Sequence, residues 1–342
     1  MRILIGIIVL LLLASGFMAP ADDVYFSIPD KWPKPAYDFT QNPLKAETIQ
    51  LGRALFYDPT LSSDGQISCA SCHSQYTAFA HVDHKLSHGV QSLIGNRNAP
   101  ALFNLAWQKS FMWDGAVHNL DALALAPMTS PVEMNENLPN IVDKLSASHR
   151  YRQAFAKAYG DSAITGTRTL KAISQFLVTL ISCNSKYDKV TRGETGIRFS
   201  DNELHGYDLF KQNCAACHAE PLFTNGEFEN NGIGTDSILK DPGRVKISLR
   251  KRDSLRFKVP SLRNVEVTYP YMHDGRFANL QMVLFHYTEA IGHDKTLSKP
   301  LKKKIVLSEN DKRDLISFLK TLTDETFLRD KRFSYPVEFF SR

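Results

Sequence analysis

The sequence predicts a mainly α-helical protein of two successive domains with long irregular loops, and three observations carry that expectation. Apolar residues recur at helical spacing in several separate segments, while strand alternation is scarce. The chain of 342 residues exceeds what one compact domain usually holds. One order of features, a helix, a cysteine pair followed by histidine, a long loop and further helices, occurs twice.

The chain opens on Met1-Arg2, an apolar run from Ile3 to Leu13 and the small-residue stretch Ala14 to Ala21. These are the three parts of an export signal, with cleavage expected after Ala21. The run is short for a bilayer span, and no later segment could cross a membrane. The first domain is expected over residues 22–195 and the second over 196–342, with the polar, glycine-containing stretch Thr191 to Phe199 between them. The formal charge of +5 becomes +4 when Arg2 leaves with the signal, too small to imply a nucleic-acid partner. The clusters Lys302-Lys303-Lys304 and Lys246 to Lys258 read as solvated faces.

Ala46 to Phe56 carries Ile49, Leu51, Leu55 and Phe56 at helical spacing and must stop at Asp58-Pro59, because proline forbids continuation. Ala78 to Asn104 has neither helical nor strand period and reads as an ordered loop over a site. Short helices are predicted over Asp121 to Leu125, Leu138 to Ala147 and Tyr151 to Tyr159, and a longer one over Leu170 to Tyr187. Cys183 falls inside that last helix, where it is expected to pack as a small hydrophobe without a chemical role. Ser200-Asp201-Asn202-Glu203 fits a capping box that opens the second unit, and Ser308 caps a final helix reaching Leu322.

The chemistry lies in the cysteines. There are five, an odd number that argues against a complete disulfide framework in an exported protein. Four of them form Cys69-Ala70-Ser71-Cys72-His73 and Cys214-Ala215-Ala216-Cys217-His218, the C-x-x-C-H pattern of covalent haem attachment. Two thiols on one helical turn can reach the two vinyl groups of one porphyrin, and the adjacent histidine is then delivered to the iron. A four-cysteine zinc site or a redox dithiol would leave both histidines unexplained. Two haem c groups are therefore expected, one in each of two cytochrome c-like domains.

Six further segments resemble the bacterial di-haem cytochrome c peroxidases and their MauG relatives, in order and across nearly all the chain after the signal. They are Leu51-Gly52-Arg53-Ala54-Leu55-Phe56-Tyr57-Asp58-Pro59, Arg97-Asn98-Ala99-Pro100, Phe111-Met112-Trp113-Asp114-Gly115, Pro131-Val132-Glu133-Met134, Pro260-Ser261-Leu262-Arg263-Asn264-Val265 and Pro270-Tyr271-Met272-His273-Asp274-Gly275. The resemblance implies that His73 is the proximal ligand of a peroxidatic haem, that Glu133 is its distal acid and base, and that Trp113 lies between the haems as a relay. It implies His218 and Tyr287 as axial ligands of the second haem, with Met282 a competitor five residues away. Where many peroxidases of the family carry a removable histidine on the first haem, this chain has Val90, so a permanently open iron is expected. His81, His84 and His88 in the same loop are substitutes. Asn98, Thr268 and Pro270 match family positions that hold a calcium ion, and carbonyl and amide oxygens suit that ion.

The implied activity is the reduction of hydrogen peroxide to water in the periplasm, with electrons from a small donor such as a cytochrome c or a cupredoxin. Two alternatives stand beside it: a MauG-like enzyme that uses peroxide to oxidise residues of a protein substrate, and a pure electron carrier with both irons six-coordinate. A homodimer is compatible with each.

Overall fold

The computed structural model describes residues 25–341, so the expected export signal over residues 1–21 lies outside the described residues. No helix among the described residues is long and apolar enough to cross a membrane. The structure is mainly α-helical with long irregular connections, as expected.

The helix Ala46–Tyr57 ends at Asp58, whose carboxylate accepts from the Thr60 amide and starts a short 3-10 turn at Pro59. It packs on the helix Gly166–Val178 so closely that a Cβ on Gly52 would lie 1.8 Å from the Ala172 carbonyl oxygen. The second unit repeats the device. Its capping box at Ser200 forms as expected, and the helix Asp201–Asn213 crosses Glu309–Lys320 at Gly206, where a Cβ would meet the Asp314 oxygen at 2.0 Å. In each unit a missing side chain lets two helix backbones touch.

Two apolar cores follow. Leu51, Leu55, Phe56, Phe79, Phe155 and Phe176 belong to the first, and Phe210, Phe223, Leu315, Phe318 and Leu322 to the second. Each buried phenylalanine contributes about 1.5–3 kcal/mol relative to exposure. The duplication reaches the loops: Asn104 and Asn264, Met112 and Met272, and Gly115 and Gly275 are counterparts at one constant offset, and all six have positive φ. The isolated bridges Phe111↔Val117 and Tyr271↔Phe277 match as well.

The helix expected over Leu170 to Tyr187 is interrupted. It ends at Val178, and a new helix, Lys186–Thr191, starts from a capping box on Ser185. Side chains from elsewhere take the backbone donors in between: Asn104 Oδ1 accepts from the Ser182 amide at 2.9 Å, and Asp324 Oδ2 accepts from the amides of Cys183 and Asn184 at 2.9 and 2.8 Å. Cys183 is therefore in an irregular junction, not a helix. The same junction joins the two repeats, because Asn104 Nδ2 donates to the Ser182 carbonyl and Asn264 Nδ2 to the Ser182 hydroxyl.

The cores do not divide strictly along the sequence. Tyr187 already packs in the second core, and Phe327, Leu328 and Phe333 return to the first. Arg53 and Tyr57 donate to the carbonyls of Ser334 and Phe333, each at 2.7 Å, and tie this returning segment down. The one sheet among the described residues is the antiparallel pair Phe228–Glu229 and Phe257–Lys258.

Candidate functional site

The short helix Cys69–Cys72 is capped by Ser68 in a box with Ser71, which fixes both thiols on one turn. They and His73 line a cavity of about 260 Å³ that also takes in Met112, Trp113 and Glu133. Cys214, Cys217 and His218 line a second cavity of about 240 Å³, which includes Tyr287, Met272 and again Trp113. None of the five cysteines is paired in a disulfide.

The two histidines are prepared for a metal. His73 Nδ1 donates to the Phe79 carbonyl at 2.7 Å, and His218 Nδ1 lies 3.2 and 3.1 Å from the carbonyls of Phe223 and Pro260. A carbonyl can only accept, so Nδ1 carries the proton and Nε2 keeps its lone pair. Burial lowers the pKa of each to about 4, which keeps both rings neutral. Two thiols, a neutral imidazole with a free Nε2 and largely apolar walls are the donor set a covalently attached haem needs, and each cavity supplies it once.

Trp113 forms the wall between the cavities. Its Nε1 donates to the Asn98 carbonyl at 2.8 Å and its own carbonyl accepts from the Lys258 amide at 2.7 Å. Its neighbour Asp114 pairs with Arg97 at 2.7 Å, and Arg97 pairs with Asp241 at 2.6 Å, so the residue next to the indole is held in place.

Glu133 follows the helix Leu125–Thr129. Its carbonyl accepts from the Val90 amide at 2.8 Å, and a Cβ on Gly89 would lie 2.3 Å from that same carbonyl oxygen and 2.4 Å from the Glu133 Cα. The irregular 78–104 loop thus clamps the Glu133 backbone. Burial pushes its carboxyl pKa above the ordinary glutamate range, against a lowering hydrogen bond from Ser130.

Val90 is buried and carries no donor atom on its side chain. Of the three loop histidines only His88 lines the first cavity. The rings of His84 and His81 pack against it, 4.2 and 6.1 Å away between centroids. In the second unit Tyr287 lies on the helix Leu280–Glu289 and lines the cavity with His218, whereas Met282 is 41% exposed and outside that lining. Burial pushes the Tyr287 phenol up to about 12, although Asn231 hydrogen-bonds to it. Asn98, Thr268 and Pro270 all reach the second cavity.

Sequence reasoning missed Gly89, which has no signature beyond being a glycine beside Val90. It also misread Lys258, expected with Lys246 to Lys258 on a solvated face, which is instead drawn inward and lines both cavities from a strand too short to show alternation.

Two cysteine-anchored haem cavities that share one tryptophan wall define a di-haem c-type oxidoreductase. The chain belongs to the di-haem cytochrome c peroxidase and MauG family. The model of the di-haem cytochrome c peroxidase family matches residues 46–196. The chain is 36% identical over 306 residues to methylamine utilization protein MauG of Methylorubrum extorquens, covering 88% of this chain and 84% of that protein. It is 35% identical over 288 residues to cytochrome c551 peroxidase of Nitrosomonas europaea, covering 83% and 82%. The crystal structure of a MauG-like protein associated with microbial copper homeostasis superposes with a TM-score of 0.81 at 32% identity, over 91% of this chain and 99% of that one. The diheme peroxidase BthA from Burkholderia thailandensis, 21% identical with a TM-score of 0.73, shares the fold.

Proposed function

We propose that this enzyme is a periplasmic peroxidase that reduces hydrogen peroxide to water at the haem held by Cys69, Cys72 and His73. A small donor protein, a cytochrome c or a cupredoxin, would supply the electrons, and Cys214, Cys217, His218 and Tyr287 would hold the second haem that receives them. The observation that carries this reading is Glu133, a carboxylate held by its backbone in the first cavity, whose wall towards the second cavity is Trp113. When bound, the haem iron supplies the electrons for cleaving the O–O bond. Glu133 takes the proton from one peroxide oxygen and returns it to the departing one, so that the leaving group is water. Val90, buried and without a donor atom on its side chain, would supply no ligand to a group bound in the first cavity. Trp113, fixed through its Nε1 and its carbonyl, is the relay between the sites. Asn98, Thr268 and Pro270 supply oxygens for a structural calcium ion. Residues 22–195 form the peroxidatic unit and 196–342 the electron-transfer unit.

The test is peroxide turnover with the Glu133→Gln variant, in which rates fall roughly a hundred- to ten-thousand-fold with haem content unchanged. Equal rates would remove Glu133 from the mechanism.

One observation favours a second reading, the MauG-like oxidation of residues on a partner protein. Tyr287 rather than Met282 lines the second cavity. A phenolate favours oxidised iron, whereas a thioether favours the reduced state of a donor-fed peroxidase. Mass spectrometry of proteins co-purified with the enzyme and treated with peroxide separates the two, since only the second reading yields a defined oxidation on one partner.

A further inference from the structure

Lys258 occupies a position that neither the proton chemistry nor the electron relay uses. It sits on the strand Phe257–Lys258, its amide donates to the Trp113 carbonyl at 2.7 Å, and its side chain lines both cavities. The Nζ donates to Gln108 Oε1 at 2.6 Å, and no carboxylate lies within ion-pair distance of it among the described residues. Burial alone lowers its pKa, to about 8. The arginines that line the cavities already have anions: Arg97 pairs with Asp114 and Asp241, and Arg263 pairs with Asp188. A half-buried ammonium facing only a neutral amide is costly unless an anion arrives with the cofactor. Haem brings such anions, its propionate carboxylates.

We propose that Lys258 is a positioning residue whose ammonium serves both cavities, receiving a haem propionate at the Trp113 wall and raising the two haem reduction potentials together. This rests on the two-haem reading of the cavities. A cation near an iron disfavours the ferric charge more than the ferrous one, and in a partly dehydrated wall the effect reaches both sites.

The experiment is a spectropotentiometric titration of the two haems in purified holoenzyme, wild type against Lys258→Gln and Lys258→Arg, each checked for two haems by pyridine haemochrome. In Lys258→Gln the ferrous-to-ferric ratio of both haems at fixed potential is expected to fall tenfold or more, equal to about 59 mV for a one-electron couple. Lys258→Arg, which keeps the charge, stays near wild type. Unchanged potentials, a shift confined to one haem, or an equal shift in Lys258→Arg would each overturn the proposal. If Lys258→Gln loads poorly, Lys258→Met, similar in length and uncharged, carries the same expectation. Wild-type peroxide turnover is measured in parallel: its absence would defeat the peroxidase reading while the potentials still decide the role of Lys258.

Discussion

In the proposed mechanism Glu133 accepts a proton from peroxide only while it is ionised. Burial raises its pKa, so the sign is fixed: kcat/KM for peroxide falls as pH is lowered through that raised value, and the acid limb lies above the ordinary glutamate range. A pH profile of wild type checks this, and a limb in the ordinary range would mean that another group is being titrated. At this scale the sequence was most informative. The haem cysteines and histidines could be read from local chemistry, because C-x-x-C-H is contiguous, and Glu133, Trp113 and Tyr287 became visible only through the family resemblance. Lys258 stayed hidden because its significance depends on which two cavities a strand of two residues happens to separate.

Periodicity read several regular elements closely, but where a helix is expected over Asp121 to Leu125 the chain makes a 3-10 turn at Leu120–Ala122 and then the helix Leu125–Thr129. Leu138 to Ala147 was predicted with the bounds it has, and Ala46 to Phe56 extends by one residue to Tyr57. It failed at the junction after Val178, where apolar spacing continues but Asn104 and Asp324 capture the backbone donors. Such capture comes from residues far away in sequence, so no local pattern reveals it. The loop around Gly89 is an element of the same kind, a support whose shape matters more than its composition. Gly89→Ala would drive a methyl group into the Val132 and Glu133 backbone, where the nearest atom is 2.2 Å from the added carbon. The expected outcome is a loss of peroxide turnover of roughly a hundredfold from misplacing Glu133, with the Soret band and haem content retained. Wild-type rates in that variant would show that the clamp does not position the carboxylate.

At the scale of the whole molecule, the most deeply buried arginine–carboxylate pair among the described residues is Asp188 with Arg263. Two 2.8 Å hydrogen bonds join them, and the arginine side chain has no exposure. Burial alone would raise the Asp188 pKa, but Arg263 and Ser185 hold it below the ordinary carboxylate range. The pair's stabilisation is therefore present above the unfolded-state aspartate value and is lost as pH falls through the depressed one. Arg263→Met leaves the carboxylate buried without its partner and is expected to cost about 3–5 kcal/mol, measured as a lower thermal midpoint at neutral pH that partly recovers on acidification. A midpoint within a degree of wild type would contradict it.

The segment around Phe327 to Phe333 that covers the helix Ala46–Tyr57 is synthesised long after that helix. In the growing chain the first thiol pair therefore exists before this covering segment does. The earliest-made core is thus completed by some of the latest-made residues, and a chain shortened at its C-terminal end would leave the first helix uncovered.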